Sequence, residues 1–413
     1  MNALSRLADR LGVWFAIGAY LLTRILVAVV AFTTPYQTTS APAEWAWMSN
    51  PFLRWDYGHY RLIFTSGYPT ALSETAAFFP GYPLAVWPLA QVIDPGWAAA
   101  IVSHLSGLAA TVLLYYATRR WFDRSVAGLA AALFCSTPTA MFLSTGYADG
   151  LFIAFAALSL LGMAYERPWL AALGCGLATG TRPTGVTLAA IVVLWEWTRH
   201  INAGNPSSGH FTALRNWLVQ AGSVLRRNIF RLLGIGLLSL AGIIAHFSFL
   251  WLHYGRPDAY FACQEKWLLA PQHKSLEKLL TLRPVLQPAL EPLKCILRGQ
   301  PERLLHQRTW NICLSMFIVG LGIAGFVLPG AAPRVIYLLA LFVFLMAYLP
   351  DPVSGGRMIG LSRYELAAMP SFITLARWPF LRRNRFALLI LLALSLALQV
   401  IHMRSYVAVE PAF

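Results

Sequence analysis

Long, nearly chargeless apolar runs recur along the whole of this sequence, and they leave few folds open to it. The first covers 12–33 and is interrupted only by Arg24. Others lie at about 97–117, 126–144, 148–165, 229–253, 308–329, 333–350, 361–376 and 386–403. A run of this kind matches the length an α-helix needs to cross a hydrocarbon core of roughly 30 Å. None shows the period-2 alternation of a barrel strand, so the crossing elements are helices. Two further runs, 169–180 and 184–198, are short and read as half-depth helices meeting at Gly180-Thr181-Arg182-Pro183. The expected fold class is an all-α polytopic membrane protein, one domain over 1–413, with about eleven transmembrane helices. Composition agrees: 58% of the 413 residues are hydrophobic and 12% are charged, with a mean hydropathy of +0.58.

The net charge of +15 would suggest nucleic acid for a soluble protein. In a membrane chain it reads instead as basic loops on one side, and no nucleic-acid partner is expected. The stretch 78–93 is apolar but carries Pro80, Pro83 and Pro88, so it reads as an interfacial or re-entrant helix and not as a crossing. That assignment puts Arg119, Arg120 and Arg124 on the same side as Arg6, Arg10, Arg382, Arg383, Arg385 and a basic loop over 199–228. By the positive-inside rule this side is cytoplasmic. A first loop over 34–96 and a long loop over 254–307 then face outward. The N-terminal apolar run is too long for a typical signal peptide, which makes it a retained span. The expected location is a bacterial inner membrane, with its lipids as neighbours. Of five cysteines, none forms a C-x-x-C pair that would suggest zinc. Cys263 and Cys295 share one loop, and their pairing stays open.

Chemistry-bearing side chains gather in the outward parts. The first loop holds Arg54-Trp55-Asp56-Tyr57-Gly58-His59-Tyr60. If helical, it puts His59 and Tyr60 on the same face as Asp56. Asp149 opens a span after Ser144-Thr145-Gly146-Tyr147, Arg182 sits at the apex of the short pair, Lys266 lies in the long loop, and Arg363-Tyr364 opens another span. In this topology all face one compartment: a carboxylate able to take a proton, and cations able to hold an anion. Each also has a plainer reading: Asp56 or Asp149 as a helix cap, Arg182 as a cap or snorkelling group, Glu74 as an exposed loop acid.

Arg54-Trp55-Asp56 with His59-Tyr60, then Ala77-Phe78-Phe79-Pro80-Gly81-Tyr82-Pro83-Leu84, resembles the first outer loop of the PIG-V family. These are the mannosyltransferases that add the second mannose of GPI anchors. Ser144 to Phe152, Ala178-Thr179-Gly180-Thr181-Arg182-Pro183-Thr184-Gly185 and Ser362-Arg363-Tyr364 follow in the same order. The chain departs from that family in having Ala148-Asp149 where Ser-Glu is usual, which shortens the carboxylate, and in being shorter than the eukaryotic enzymes. The resemblance implies a GT-C fold. It also implies a sugar donor linked to polyprenyl phosphate, a glycolipid or glycan acceptor, and an acidic residue in the first outer loop. By that mapping Asp56 is the general base, supported by Arg54, His59 and Asp149, and transfer proceeds in one displacement with inversion. Arg182, Lys266, Arg363 and Tyr364 are the candidates for the donor phosphate, since arginine binds phosphate through two donors. One leaving phosphate demands no cofactor; some GT-C enzymes use a divalent metal. The alternatives are a transporter or flippase for a lipid-linked sugar, which needs charged sites near the midplane, and a non-catalytic scaffold. Arg24 is the one clear mid-span charge on which a transporter reading rests.

Overall fold

The computed structural model describes residues 2–35, 49–201, 210–264, 307–328, 330–348 and 361–408, with four isolated positions between 290 and 298. Every regular element among them is helical. An amphipathic helix α1 (Ala3–Leu11) precedes α2 (Val13–Thr33). The first loop supplies α3 (Asp56–Ser66) and α4 (Gly81–Ala90). The bundle continues with α5 (Pro95–Trp121), α6 (Arg124–Ser136), α7 (Asp149–Ala164), α8 (Pro168–Thr179) and α9 (Gly185–Thr198). Next come α10 (His210–Ser239), α11 (Ala241–Tyr254) and α12 (Ala259–Gln264). The C-terminal part comprises α13 (Gln307–Val327), α14 (Leu338–Tyr348), α15 (Leu361–Tyr364), α16 (Met369–Arg377), α17 (Pro379–Arg383) and α18 (Arg385–Ala408).

Helix α5 sets the long axis. Asp94 caps it by accepting from the Gly96 and Trp97 N–H groups, with Pro95 in the first turn, where its missing N–H costs nothing. At 1.5 Å per residue it runs about 40 Å. Leu53 and Tyr57 of the first loop crowd Gly96 at its start, and Arg119 and Arg120 lie in its last turn. The first loop and the arginine cluster therefore occupy opposite ends of the bundle. Asp123 caps α6 next to that cluster and pairs with Arg382 at 3.0 Å. Asn2 donates to Leu381 O at 2.8 Å, so α1 and α17 join the arginine end.

Among the described residues the helix lengths do not establish eleven crossings. Three described helices are long and apolar enough to span, Val13–Thr33, Pro95–Trp121 and Arg385–Ala408. A bent pair, Arg215–Ser239 with Ala241–Tyr254, turns by 58° and makes a possible fourth. The protein is an integral membrane protein, but many of its apolar helices are short. The run 126–144 breaks at Ser136, because Pro138 cannot continue a helix, and a 3-10 turn follows over Pro138–Leu143. The run 361–376 breaks likewise ahead of Pro370. The stretch read as a basic loop over 199–228 is helix from His210 onward. Arg231 of that helix reaches the buried carboxylate of Glu196, 2.9 Å away, and Glu196 also pairs with Arg199 at 2.7 Å.

Arg24 explains how the break after α6 survives inside the bundle. It is buried and donates to Ala140 O, to Ser144 Oγ at 3.0 Å and to Cys135 O at 3.2 Å. Gln399 of α18 donates to Thr137 O at 2.8 Å and Cys135 O at 3.3 Å. Unwound backbone is tolerated at such depth only where its carbonyls find donors. The mid-span charge thus stabilises a broken helix, and that broken segment delivers Tyr147 and Asp149 to the far end of the bundle.

Candidate functional site

Three chain segments meet at the end away from Arg119. The first is α3, which is helical as the spacing predicts. Its N-terminal turn is held by Arg54, which is buried and donates to Asn50 O at 2.8 Å and Leu53 O at 2.6 Å. Trp55 precedes the helix with φ 47°, a left-handed conformation uncommon for a bulky residue and costly by about 1–3 kcal/mol. That kink sets Asp56 at the first helical position.

The second segment is the apex between α8 and α9. The Gly81 N–H donates to Gly180 O at 2.9 Å. A Cβ at Gly81 would lie 2.6 Å from that same oxygen, and one at Gly242 would lie 2.1 Å from the Gly180 nitrogen. Only glycine lets α4, α8 and α11 converge this closely. The convergence sets Arg182 beside the first loop. Arg182 pairs with Asp149 at 2.5 Å, and both are buried. Asp149 is the first residue of α7, and Ala148, not Asp149, takes the cap position.

The third segment is α15. Arg363 Nη1 lies 3.0 Å from Asp56 Oδ2. Its guanidinium also stands over three rings, at 5.3 Å from the Tyr364 centroid, 5.5 Å from Tyr147 and 5.7 Å from Phe142. Arg182 lies 4.6 Å from the centroid of the Tyr364 ring, so that ring neighbours both guanidiniums. Tyr60 is within electrostatic reach of both carboxylates and both arginines. The result is a chain of charge, Asp56–Arg363 and Arg182–Asp149, joined through Tyr364. The two carboxylates and two guanidiniums pair one to one, with the buried Arg54 alongside.

His59 stacks on Phe78 at 4.4 Å, and its Nε2 lies 4.0 Å from Glu74. Burial pushes its pKa below the ordinary imidazole value, and the nearby Asp56 and Glu74 only partly oppose this. The ring is therefore neutral near pH 7, and the Glu74 contact is not an ion pair there. Burial also raises the Tyr57 and Tyr68 hydroxyls, keeping them protonated.

Of the residues singled out in the sequence, Asp56, Asp149, Arg182, Arg363 and Tyr364 come together. Arg54 and His59 lie beside them, with Arg54 turned to backbone carbonyls. Lys266 and Cys295 lie outside the described residues, while Cys263 Sγ contacts Ser73 O at 3.1 Å. Tyr147 and Tyr406 were not foreseen as site residues. Tyr147 sits inside a motif already noted. Tyr406, 6.0 Å from Tyr147 ring to ring and 3.2 Å from Phe52 O, comes from the last helix with no sequence signal. Glu74, read as an ordinary loop acid, is drawn in by His59. Among the described residues no three His, Cys, Asp or Glu side chains cluster as metal ligands.

A membrane-embedded helical bundle with a carboxylate–arginine chain at one end is the class defined so far. Its fold is that of the Archaeoglobus fulgidus oligosaccharyltransferase solved with zinc and sulfate: TM-score 0.50 at 13% identity, covering 95% of this chain and 54% of that one. Residues 80–214 match the family described as dolichyl-phosphate-mannose-protein mannosyltransferase. Curated relatives include GPI alpha-1,6-mannosyltransferase 2 of Cricetulus griseus, 33% identical over 32% of this chain and 29% of that protein. The same enzyme of Mus musculus is 30% identical over 42% of this chain and 39% of its own length. The chain thus spans well under half the length of the curated relatives it matches. The comparisons support the likeness to PIG-V mannosyltransferases of the GT-C type that the motifs carry.

Proposed function

We propose that this protein transfers a mannose from a polyprenyl-phosphate donor to a hydroxyl of a glycolipid or envelope glycan. The observation that carries the reading is the Asp56–Arg363 pair, 3.0 Å long and partly exposed at 28% and 16%, at the bundle end remote from Arg119. Asp56 takes the proton of the acceptor hydroxyl. The freed oxygen attacks the anomeric carbon from the face opposite the phosphate, the C1–O bond breaks, and its electron pair leaves with the phosphate, inverting the centre. Arg363 and Arg182 stabilise the charge that develops on the leaving group. Because Arg363 is already paired with Asp56, the phosphate competes with Asp56 for it. Donor binding loosens that ion pair and releases the carboxylate to act as base. Lys266 is the proposed further cation, and His59 and Arg54 hold the α3 turn in place. Neither step as written requires a metal. The proposed setting is a bacterial inner membrane, with the N-terminus in the cytoplasm and the site facing outward, as the arginine distribution supports.

The test is transfer from synthetic polyprenyl-phosphate-mannose by purified protein, comparing wild type with Asp56→Ala and Asp56→Asn. Loss of product in both variants is expected. Undiminished transfer by both removes Asp56 from its role, and movement of intact donor across vesicles without a new glycosidic bond replaces the enzyme with a flippase.

A further inference from the structure

The opposite end of the bundle holds a second built feature, independent of the proposed reaction. Asn2 ties α1 to α17. Its Oδ1 accepts from the Ser5 N–H at 2.8 Å, and its own N–H donates to Arg382 O at 2.8 Å. Between α1, α17 and the start of α18 lies a cavity of about 640 Å³. Arg6, Arg383 and Arg385 line it, and no carboxylate does. Of the carboxylates close in the fold, Asp9 stands three residues from Arg6 on α1 without pairing to it, and Asp123 is engaged by Arg382 and by the Val126 N–H. Among the described residues none of the three lining arginines has an ion-pair partner; Arg385 contacts only the Phe386 ring, at 4.8 Å.

Two further facts narrow the ligand. The cavity opens at the N-terminus of α18, one of the long apolar helices, where the helix dipole adds positive potential. Asn384 Oδ1 already takes the Phe386 and Ala387 N–H groups, so the guanidiniums carry the remaining capacity. Two exposed rings stand beside them: Phe380 is 54% exposed and Phe386 63%. Guanidiniums without a counter-charge thus sit at the start of a long apolar helix, next to apolar surface. From this we infer that the cavity binds the phosphodiester headgroup of an anionic phospholipid. The phosphate oxygens meet the arginines through paired N–H donors. The acyl chains run along Phe380, Phe386 and the apolar face of α18. A zwitterionic headgroup brings its own cation to the same three arginines and fits poorly.

The experiment is native mass spectrometry of the purified full chain with phosphatidylglycerol or phosphatidylcholine of identical acyl chains. Inorganic phosphate forms a separate arm. Phosphatidylglycerol is expected to stay bound where phosphatidylcholine is lost. Arg6→Gln and Arg383→Gln are each expected to weaken retention about fivefold. Phe380→Ala, which keeps all three charges, is expected to weaken the lipid too. Arg383→Lys guards against misfolding, since it keeps the charge and loses only the two-pronged donor; a smaller loss is expected there. Equal retention of the two lipids overturns the inference, as does unchanged retention in both the arginine and the phenylalanine variants. Displacement of the lipid by inorganic phosphate at low millimolar concentration, with Phe380→Ala silent, assigns the cavity to a free anion and also overturns it.

Discussion

Asp56 and Asp149 are both carboxylates paired to arginine, and substituting each by asparagine separates chemistry from scaffold. The Asp56 side chain is 28% exposed and its partner Arg363 16%. Both side chains are more than two-thirds buried, so breaking the pair costs between the about 1 kcal/mol of an exposed pair and the about 3–5 kcal/mol of a buried one. Asp56→Asn should therefore lower the unfolding temperature less than Asp149→Asn does. As the proposed general base, Asp56 should supply about 10²–10⁴ in rate, which is roughly 3–5 kcal/mol of barrier. Asp149 is the reverse case. Its side chain is 3% exposed against 9% for Arg182, and its Oδ2 has no hydrogen-bond partner among the described residues. Asp149→Asn leaves a guanidinium buried without its counter-charge, at a cost of about 3–5 kcal/mol. The assay pairs thermal unfolding in detergent with initial rates of mannose transfer on the same preparations. Asp56→Asn should lose kcat at the smaller cost in stability, and Asp149→Asn should lose stability first. The reasoning is refuted if Asp56→Asn transfers within threefold of wild type, or if it unfolds as early as Asp149→Asn.

Three further outcomes are expected. Gly81→Ala places a methyl 2.6 Å from Gly180 O and Thr181 Cγ2. It should cost about 1–3 kcal/mol and lower transfer by shifting Arg182, read by unfolding temperature and rate together. Arg24→Met strips the Arg24 donor from Ala140 O, while Cys135 O keeps Gln399. At about 1–3 kcal/mol for an orphaned buried group, it should reduce folded yield, checked by size-exclusion chromatography. His59 has a lowered pKa in the folded state because of burial, so the unfolded chain binds its proton more readily. Its contribution to stability is complete above the ordinary imidazole value near 6.5 and is lost as pH falls towards the folded value. Unfolding temperature against pH should accordingly drop more steeply below pH 6.5 for wild type than for His59→Gln.

Much of the framework was legible because it follows from local rules. The lipid-length runs gave helices, the proline-rich stretch 78–93 gave only the ten-residue α4, and the spacing in Arg54–Tyr60 placed Asp56 and His59 on one helical face. The breaks were harder to read. A hydropathy window over 126–144 sees no interruption, because Thr137, Pro138 and Thr139 are diluted by apolar neighbours. The donors that make the break tolerable, Arg24 and Gln399, come from helices far away in sequence. Helix 210–239 was hidden for a different reason: its first half is too basic to look like a span, and its anchor, Glu196, belongs to the preceding helix α9. Within the site, the residues carried by motifs were found. Those whose role is purely spatial, such as Tyr406, were not.

The short helices also settle how charge can exist at this depth. Gly96 of α5 meets the first loop at Leu53 and Tyr57, while Ser103 O of the same helix meets Gly150, next to Asp149. Seven residues of helix separate these levels, about 10 Å. The start of α7, with Asp149 and its partner Arg182, therefore packs about 10 Å below the tip of α5, beside the short helices α8 and α9 of 12 and 14 residues. Two isolated ions at that depth would be expensive, and pairing them across a packed glycine junction removes most of the cost. The Asp56–Arg363 pair is partly open where the Asp149–Arg182 pair is closed. A phosphate on a lipid tail would approach the cluster from the open pair, meeting Arg363 before Arg182. That order follows from exposure alone and makes Arg363 the arginine whose loss should raise the donor KM most.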